Sequence, residues 1–140
     1  MKKIFIASDH AGYNLKKFVV SNLSKRKKIL DLGPDSKDSV DYPDYAKKVS
    51  NRIKSKKSDV GILVCGSGTG MAISANKTKK IRAAVCYNLK STRLSRQHNN
   101  ANIIAIGSRL TKKNTALQLV SVFLETKFEG GRHLRRVKKI

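Results

Sequence analysis

The stretch Cys65-Gly66-Ser67-Gly68-Thr69-Gly70 places a thiol directly before three glycines that alternate with two hydroxyl residues. Glycines let successive backbone N–H groups turn inward and form a nest for an anion, or for an oxyanion that develops during reaction. A cysteine beside such a nest is favoured as a thiolate, and a thiolate serves as nucleophile or base. The plainer alternative is a tight strand-to-helix turn in which the cysteine is a small hydrophobe. Cys86, with no glycine loop after it, fits that plainer description.

More specific loop chemistries fail on spacing. A dinucleotide fingerprint needs its third glycine one residue later, where Met71 stands, and an acidic residue about 20 positions on, where Val85–Leu89 has none. The Gly-Lys-Ser/Thr of a nucleotide-triphosphate loop is absent. A cysteine phosphatase would carry arginine at position 71 instead of Met71. Cys65 and Cys86, with His10, His98 and His133, show no metal-ligand spacing, so no metal is expected.

Apolar periodicity supplies the elements that must position the loop. Lys3–Ala7, Ile29–Leu32, Val60–Val64, Ala83–Cys86 and Ile103–Ile106 are short apolar runs of strand length. Between them, helical spacing joins Leu15, Phe18, Val19 and Leu23, then Tyr45, Ala46, Val49 and Ile53, with Pro43 suited to a first turn. Met71, Ala72 and Ala75, the segment Leu89–His98, and Ala116–Leu124 complete the alternation. Strands alternating with helices predict βαβ units. The expected fold is a single-domain α/β, three-layer αβα Rossmann-like structure with a five-stranded parallel sheet over residues 1–140.

In such a sheet, ligands collect where strands end. The ends carry Ser8-Asp9-His10, the Cys65 loop and Gly107-Ser108-Arg109. Polar and reactive residues therefore recur on one edge. Each also has a quieter role: Asp9-His10 could cap a helix, His98 could close one, and Arg132, Arg135 and Arg136 could belong to a solvated basic tail.

Taken together, SDHAG (8–12), DYPDYA (41–46), CGSGTGM (65–71), LSRQHNNANIIAIGSR (94–109) and EGGRHLRRV (129–137) resemble the type B ribose-5-phosphate isomerases. Close relatives of that family act on allose or galactose 6-phosphates. The resemblance spans essentially the whole chain. It implies an aldose–ketose isomerase of the non-oxidative pentose phosphate pathway that works through an enediolate, without metal or cofactor. It also implies a homodimer or homotetramer with active sites at the subunit interface. By the same resemblance Cys65 is the base that moves the proton between C2 and C1. His98 is the acid that opens the furanose ring, with Asp9 close to the ring oxygen. Gly66, Ser67, Gly68, Thr69 and Gly70 surround the enediolate oxygens, and Asn99 contacts the sugar. His10, Arg109, Arg132 and Arg136 hold the phosphate, so that segment 129–140 completes the phosphate site. Asp41 and Tyr42 are assigned only to starting a helix.

The chain has 31 Lys+Arg against 9 Asp+Glu, a net charge of +22, which by itself favours a nucleic-acid partner. The clusters Lys25–Lys28, Lys54–Lys57 and Lys77–Lys80 each precede a strand, at helix C-termini, where lysine complements the helix dipole. They are expected on the sheet edge opposite the loop, as a solvated surface. Few aromatics and no recognition motif weigh against nucleic acid. No stretch reaches the length of a membrane span, and two cysteines provide no disulfide framework. A cytoplasmic protein is the expectation.

Overall fold

The computed structural model describes residues 2–140. Its elements, in chain order, are β1 Ile4–Ser8, α1 Tyr13–Leu23, β2 Ile29–Asp31, α2 Tyr42–Ile53, β3 Val60–Cys65 and α3 Thr69–Ala75. They continue with β4 Ala83–Val85, α4 Leu89–Gln97, β5 Ile103–Gly107, α5 Lys113–Glu125 and α6 Arg132–Val137. The five strands lie parallel in the order β2-β1-β3-β5-β4.

β1, β3 and β5 are buried along their whole length because helices cover both faces of the sheet. One face packs Leu15, Val19 and Leu23 of α1 with Leu119, Val120 and Phe123 of α5 against Ile6, Ile62 and Ile104. The other packs Ala46, Val49 and Ile53 of α2 with Met71, Ala72 and Ala75 of α3 against Phe5, Leu63 and Ile103. Alternate strand residues thus serve opposite cores, as strand geometry requires. The expected single-domain three-layer architecture is present, and the strand ends differ from expectation by about one residue, whereas α5 begins at Lys113, ahead of the expected Ala116.

Three features lie outside the sequence expectation. β5 inserts between β3 and β4, which leaves β4 at an edge. Lys16 is fully buried on α1, where its Nζ donates to Asp31 Oδ1 at 3.0 Å and to the Pro34 carbonyl. That paired charge fastens α1 to the segment after β2. The basic tail is also ordered: Gly130 (φ 66°) and Gly131 (φ 52°) reverse the chain so that residues 132–137 form α6.

From β1 the chain first builds β2 on one side and then crosses back to β3 on the other. A crevice opens at such a reversal, at the strands' carboxyl ends. Asp9 follows β1 and Cys65 ends β3, so both border it.

Candidate active site

A cleft of about 520 Å³ occupies this position, lined among others by Asp9, Tyr42, Cys65, Ser67, Gly70 and Arg109. Cys65 is buried, and the Gly68 N–H donates to its Sγ at 3.1 Å. A donor aimed at sulfur stabilises negative charge there more than a neutral thiol. Gly68 achieves this in a left-handed conformation (φ 79°), packed against the backbone of Ile106 and Gly107. The Thr69 N–H is taken by Ser67 Oγ at 3.2 Å. Two of the five loop amides expected to face an oxyanion are therefore engaged within the loop. Gly66, Ser67 and Gly70 are left, and the first-turn amide of Gly70 has no acceptor inside α3.

The loop is fixed from two sides. Ser108 N–H donates to the Cys65 carbonyl at 2.8 Å and Arg109 N–H to the Gly66 carbonyl at 3.0 Å. The Arg109 side chain lies directly over Gly66, where a Cβ would meet its Nη1 at 2.9 Å. Asp9 is buried, and its Oδ1 accepts from Gly12 N–H at 2.9 Å, so it caps the turn into α1 and borders the cleft at once. His10 is exposed nearby, with Nδ1 accepting from Val40 N–H at 3.2 Å. That bond leaves the other ring nitrogen, Nε2, to carry the proton of the neutral imidazole.

Tyr42 belongs to this site, although the sequence suggested only a helix start. Its ring packs where a Cβ on Gly70 would fall within 2.7 Å. The signal was the aromatic residue just before Pro43 at a helix N-terminus, which faces the same edge as the strand ends. Ile73 and Leu110, 60% and 62% exposed, add an apolar rim to the cleft.

His98, Asn99, Arg132 and Arg136 are elsewhere. α4 starts after β4 at the carboxyl edge and runs back, so His98 and Asn99 at its end lie at the amino edge. Glu129 N–H donates to the Gln97 carbonyl at 3.1 Å, which brings α6 to the same edge. A strand advances roughly 3.3 Å per residue, so five or six residues put about 15–20 Å between the edges. Within one chain, the residues expected to share one substrate form two groups on opposite edges.

The amino-edge group has its own order. The His98 and His133 rings stack at 4.2 Å between centroids and 14° between planes. Glu129 Oε1 is 3.8 Å from His98 Nε2 and 3.6 Å from His133 Nε2. Burial lowers the His133 pKa, with His98, Arg132 and Arg136 adding to the effect and Glu129 opposing it. The three side chains thus gather potential metal ligands within 4.8 Å of one another, which the chain spacing of 98 and 133 concealed. Parallel stacked imidazoles direct their lone pairs side by side, and the neighbouring arginines repel a dication. The arrangement suits a shared carboxylate better than a metal.

The lysine expectation needs a correction. The clusters do lie at the amino edge, but that edge also carries α6. Lys54, Lys56, Lys57 and Lys80 share a groove with Leu134, Val137 and Lys138 of the α6 segment. They are opposite the Cys65 cleft only.

Comparison with known proteins places the chain in a family. A family model described as ribose/galactose isomerase matches residues 4–140. Ribose-5-phosphate isomerase B of Escherichia coli is 43% identical over 141 residues, covering 100% of this chain and 95% of that protein. The Clostridium thermocellum ribose-5-phosphate isomerase B structure superposes with a TM-score of 0.95 at 48% identity, covering 99% of this chain and 94% of that one. The Mycoplasma genitalium enzyme, solved with bound ribulose-5-phosphate, gives a TM-score of 0.94 at 42% identity, covering 99% and 93%. On the family match and these relatives, the chain belongs to the ribose/galactose isomerase family.

Proposed function

We propose that this protein interconverts ribose 5-phosphate and ribulose 5-phosphate in an active site assembled from two copies of the chain. The observation that carries the chemistry is Cys65 Sγ, held by the Gly68 N–H at the cleft between β1 and β3. The Cys65 thiolate takes the C2 proton of the open-chain aldose. The C2–H electron pair becomes the C1=C2 bond, and the carbonyl pair moves onto O1. Amides of Gly66, Ser67 and Gly70 face the developing oxyanions, together with the Ser67 hydroxyl, and preorganised donors stabilise such charge better than water. Transfer of the O2 proton to O1 and return of a proton to C1 complete the ketose.

The separation of the residues onto two edges supports the two-copy assembly. His98, Asn99, Arg132 and Arg136 can serve a substrate on Cys65 only if a second chain presents its amino-edge group to the first chain's cleft. The exposed Ile73, Leu110 and Tyr42 beside the cleft support such coverage. Segment 129–140 then completes the phosphate site with Arg132 and Arg136, facing His10 and Arg109 of the other copy. His98 delivers a proton to the ring oxygen as the C1–O bond breaks, and O1 releases its proton to solvent. Two buried, unpaired cysteines are consistent with a reducing cytoplasm.

Complementation tests both parts. Cys65→Ala and His98→Asn chains should each be nearly inactive. After unfolding and refolding as a mixture they should recover about a quarter of wild-type activity, because half the dimers are mixed and each mixed dimer has one intact site. Failure to recover, with mixed dimers demonstrated, refutes the shared site. Parallel assays with allose and galactose 6-phosphates establish whether the five-carbon substrate is preferred.

A further inference from the structure

The His98–Glu129–His133 cluster carries a further assignment, which rests on the role proposed above for His98. We infer that Glu129 and His133 are positioning residues for His98: the stacked His133 ring fixes the plane of the His98 imidazole, and the Glu129 carboxylate provides the counter-charge for its proton.

Three independent placements support this. The first is the stack itself, at 4.2 Å and 14°, in which His133 is buried while the His98 side chain is 38% exposed and open to a ligand. The second is the backbone anchor from Glu129 N–H to the carbonyl of Gln97, the residue immediately before His98. It holds the Glu129 backbone against the end of α4 independently of the side chain. The third is the Gly130-Gly131 reversal, which brings His133 back over Glu129 and His98. A helix end alone would leave an exposed histidine free to rotate, and a general acid must hold its proton along one direction.

The two rings divide the work. His133 is disfavoured as an imidazolium by burial and by its cationic neighbours, so it acts as an apolar plate. The charged groups around the pair are Glu129, Arg132 and Arg136. On α4 itself, Arg96 is committed to Thr126, Asn100 and Ala101. Glu129 is thus the acidic member of a cationic cluster, and the carboxylate lies within 4 Å of both rings.

The test separates ring opening from proton transfer at carbon. Ribulose 5-phosphate has its C5 oxygen esterified and cannot close a furanose, so exchange of its C1 hydrogen with deuterated solvent reports Cys65 without ring opening. Pre-steady-state conversion of cyclic ribose 5-phosphate reports ring opening. His133→Ala should slow ring opening by about ten- to a hundredfold, the scale of a misplaced catalytic group, with C1 exchange within about twofold of wild type. His133→Phe keeps the plate and should restore ring opening to within about threefold. Glu129→Gln keeps the shape and should slow ring opening by roughly tenfold, a fraction of the total general-acid contribution. Ring opening within twofold of wild type in both His133→Ala and Glu129→Gln, with His98→Asn slow, overturns the positioning assignment and leaves His98 in place. Equal loss of C1 exchange and ring opening in His133→Ala, or no restoration by His133→Phe, also overturns it. Normal ring opening in His98→Asn would instead remove the role of His98 itself. If His133→Ala does not fold, Glu129→Gln and His133→Phe decide the matter alone.

Discussion

Gly68→Ala is the sharpest test of the Cys65 loop. At φ 79° a side chain costs about 1–2 kcal/mol in the left-handed region. The new Cβ would also lie 3.0 Å from the Ile106 carbonyl carbon, 3.1 Å from Gly107 N and 3.3 Å from the Ala105 carbonyl carbon. These are backbone atoms of a central strand and cannot step aside, so the loop must move and carry its N–H off Cys65 Sγ. A hydrogen bond to a charged group contributes about 1.5–3 kcal/mol, so exchange of the C1 hydrogen of ribulose 5-phosphate should fall by roughly ten- to 150-fold. Global stability should fall by about 1–3 kcal/mol, measured by urea unfolding. Gly68→Asn separates the two costs: asparagine tolerates the left-handed region better and should regain part of the stability, but its Cβ is the same and exchange should stay slow. Wild-type exchange in a destabilised Gly68→Ala would refute the argument that this amide supports the sulfur.

Four shorter expectations follow from other parts of the structure. Arg136→Ala should raise KM for ribose 5-phosphate more than it lowers kcat, and the reverse pattern would move Arg136 from phosphate to chemistry. Replacing Lys25, Lys27 and Lys28 by Gln should change kcat/KM by less than about threefold at 0.1 M salt, where the Debye length is about 10 Å; a larger loss would show that the surface steers substrate. Activity should survive EDTA, and restoration of a lost activity by a divalent ion would assign a metal to His98, Glu129 and His133. Burial raises the pKa of Cys86, so its folded form keeps the proton to higher pH than the unfolded thiol. Its contribution to stability is present below the unfolded value and is lost as pH rises through the folded one. At pH 8, alkylation of the native protein followed by peptide mapping should therefore label Cys65 ahead of Cys86, whereas faster labelling of Cys86 would contradict its burial.

Local chemistry made much of the fold legible in the chain. Apolar runs with both faces buried marked β1, β3 and β5, since a central parallel strand needs no polar face. Pro43 marked the start of α2, and the spacing of Ala46, Val49 and Ile53 marked its inner face, because 3.6 residues per turn is a property of the backbone. The carboxyl-edge half of the site was readable for the same reason: parallel strands bring all their ends to one side, so Asp9, Cys65 and Arg109 had to converge. Only tertiary structure decided the rest. The placement of β5 between β3 and β4 depends on how α4 and α5 pack, which no local pattern encodes. Nothing in the helical spacing of α1 singles out Lys16, and only the approach of Asp31 and Pro34 makes its burial tolerable. His98 and His133 are 35 positions apart and meet because Glu129 docks on Gln97 and two glycines turn the chain. The separation of Cys65 from His98 was likewise hidden: a sequence orders residues along the chain, whereas the direction of α4 determines which edge of the sheet its end reaches.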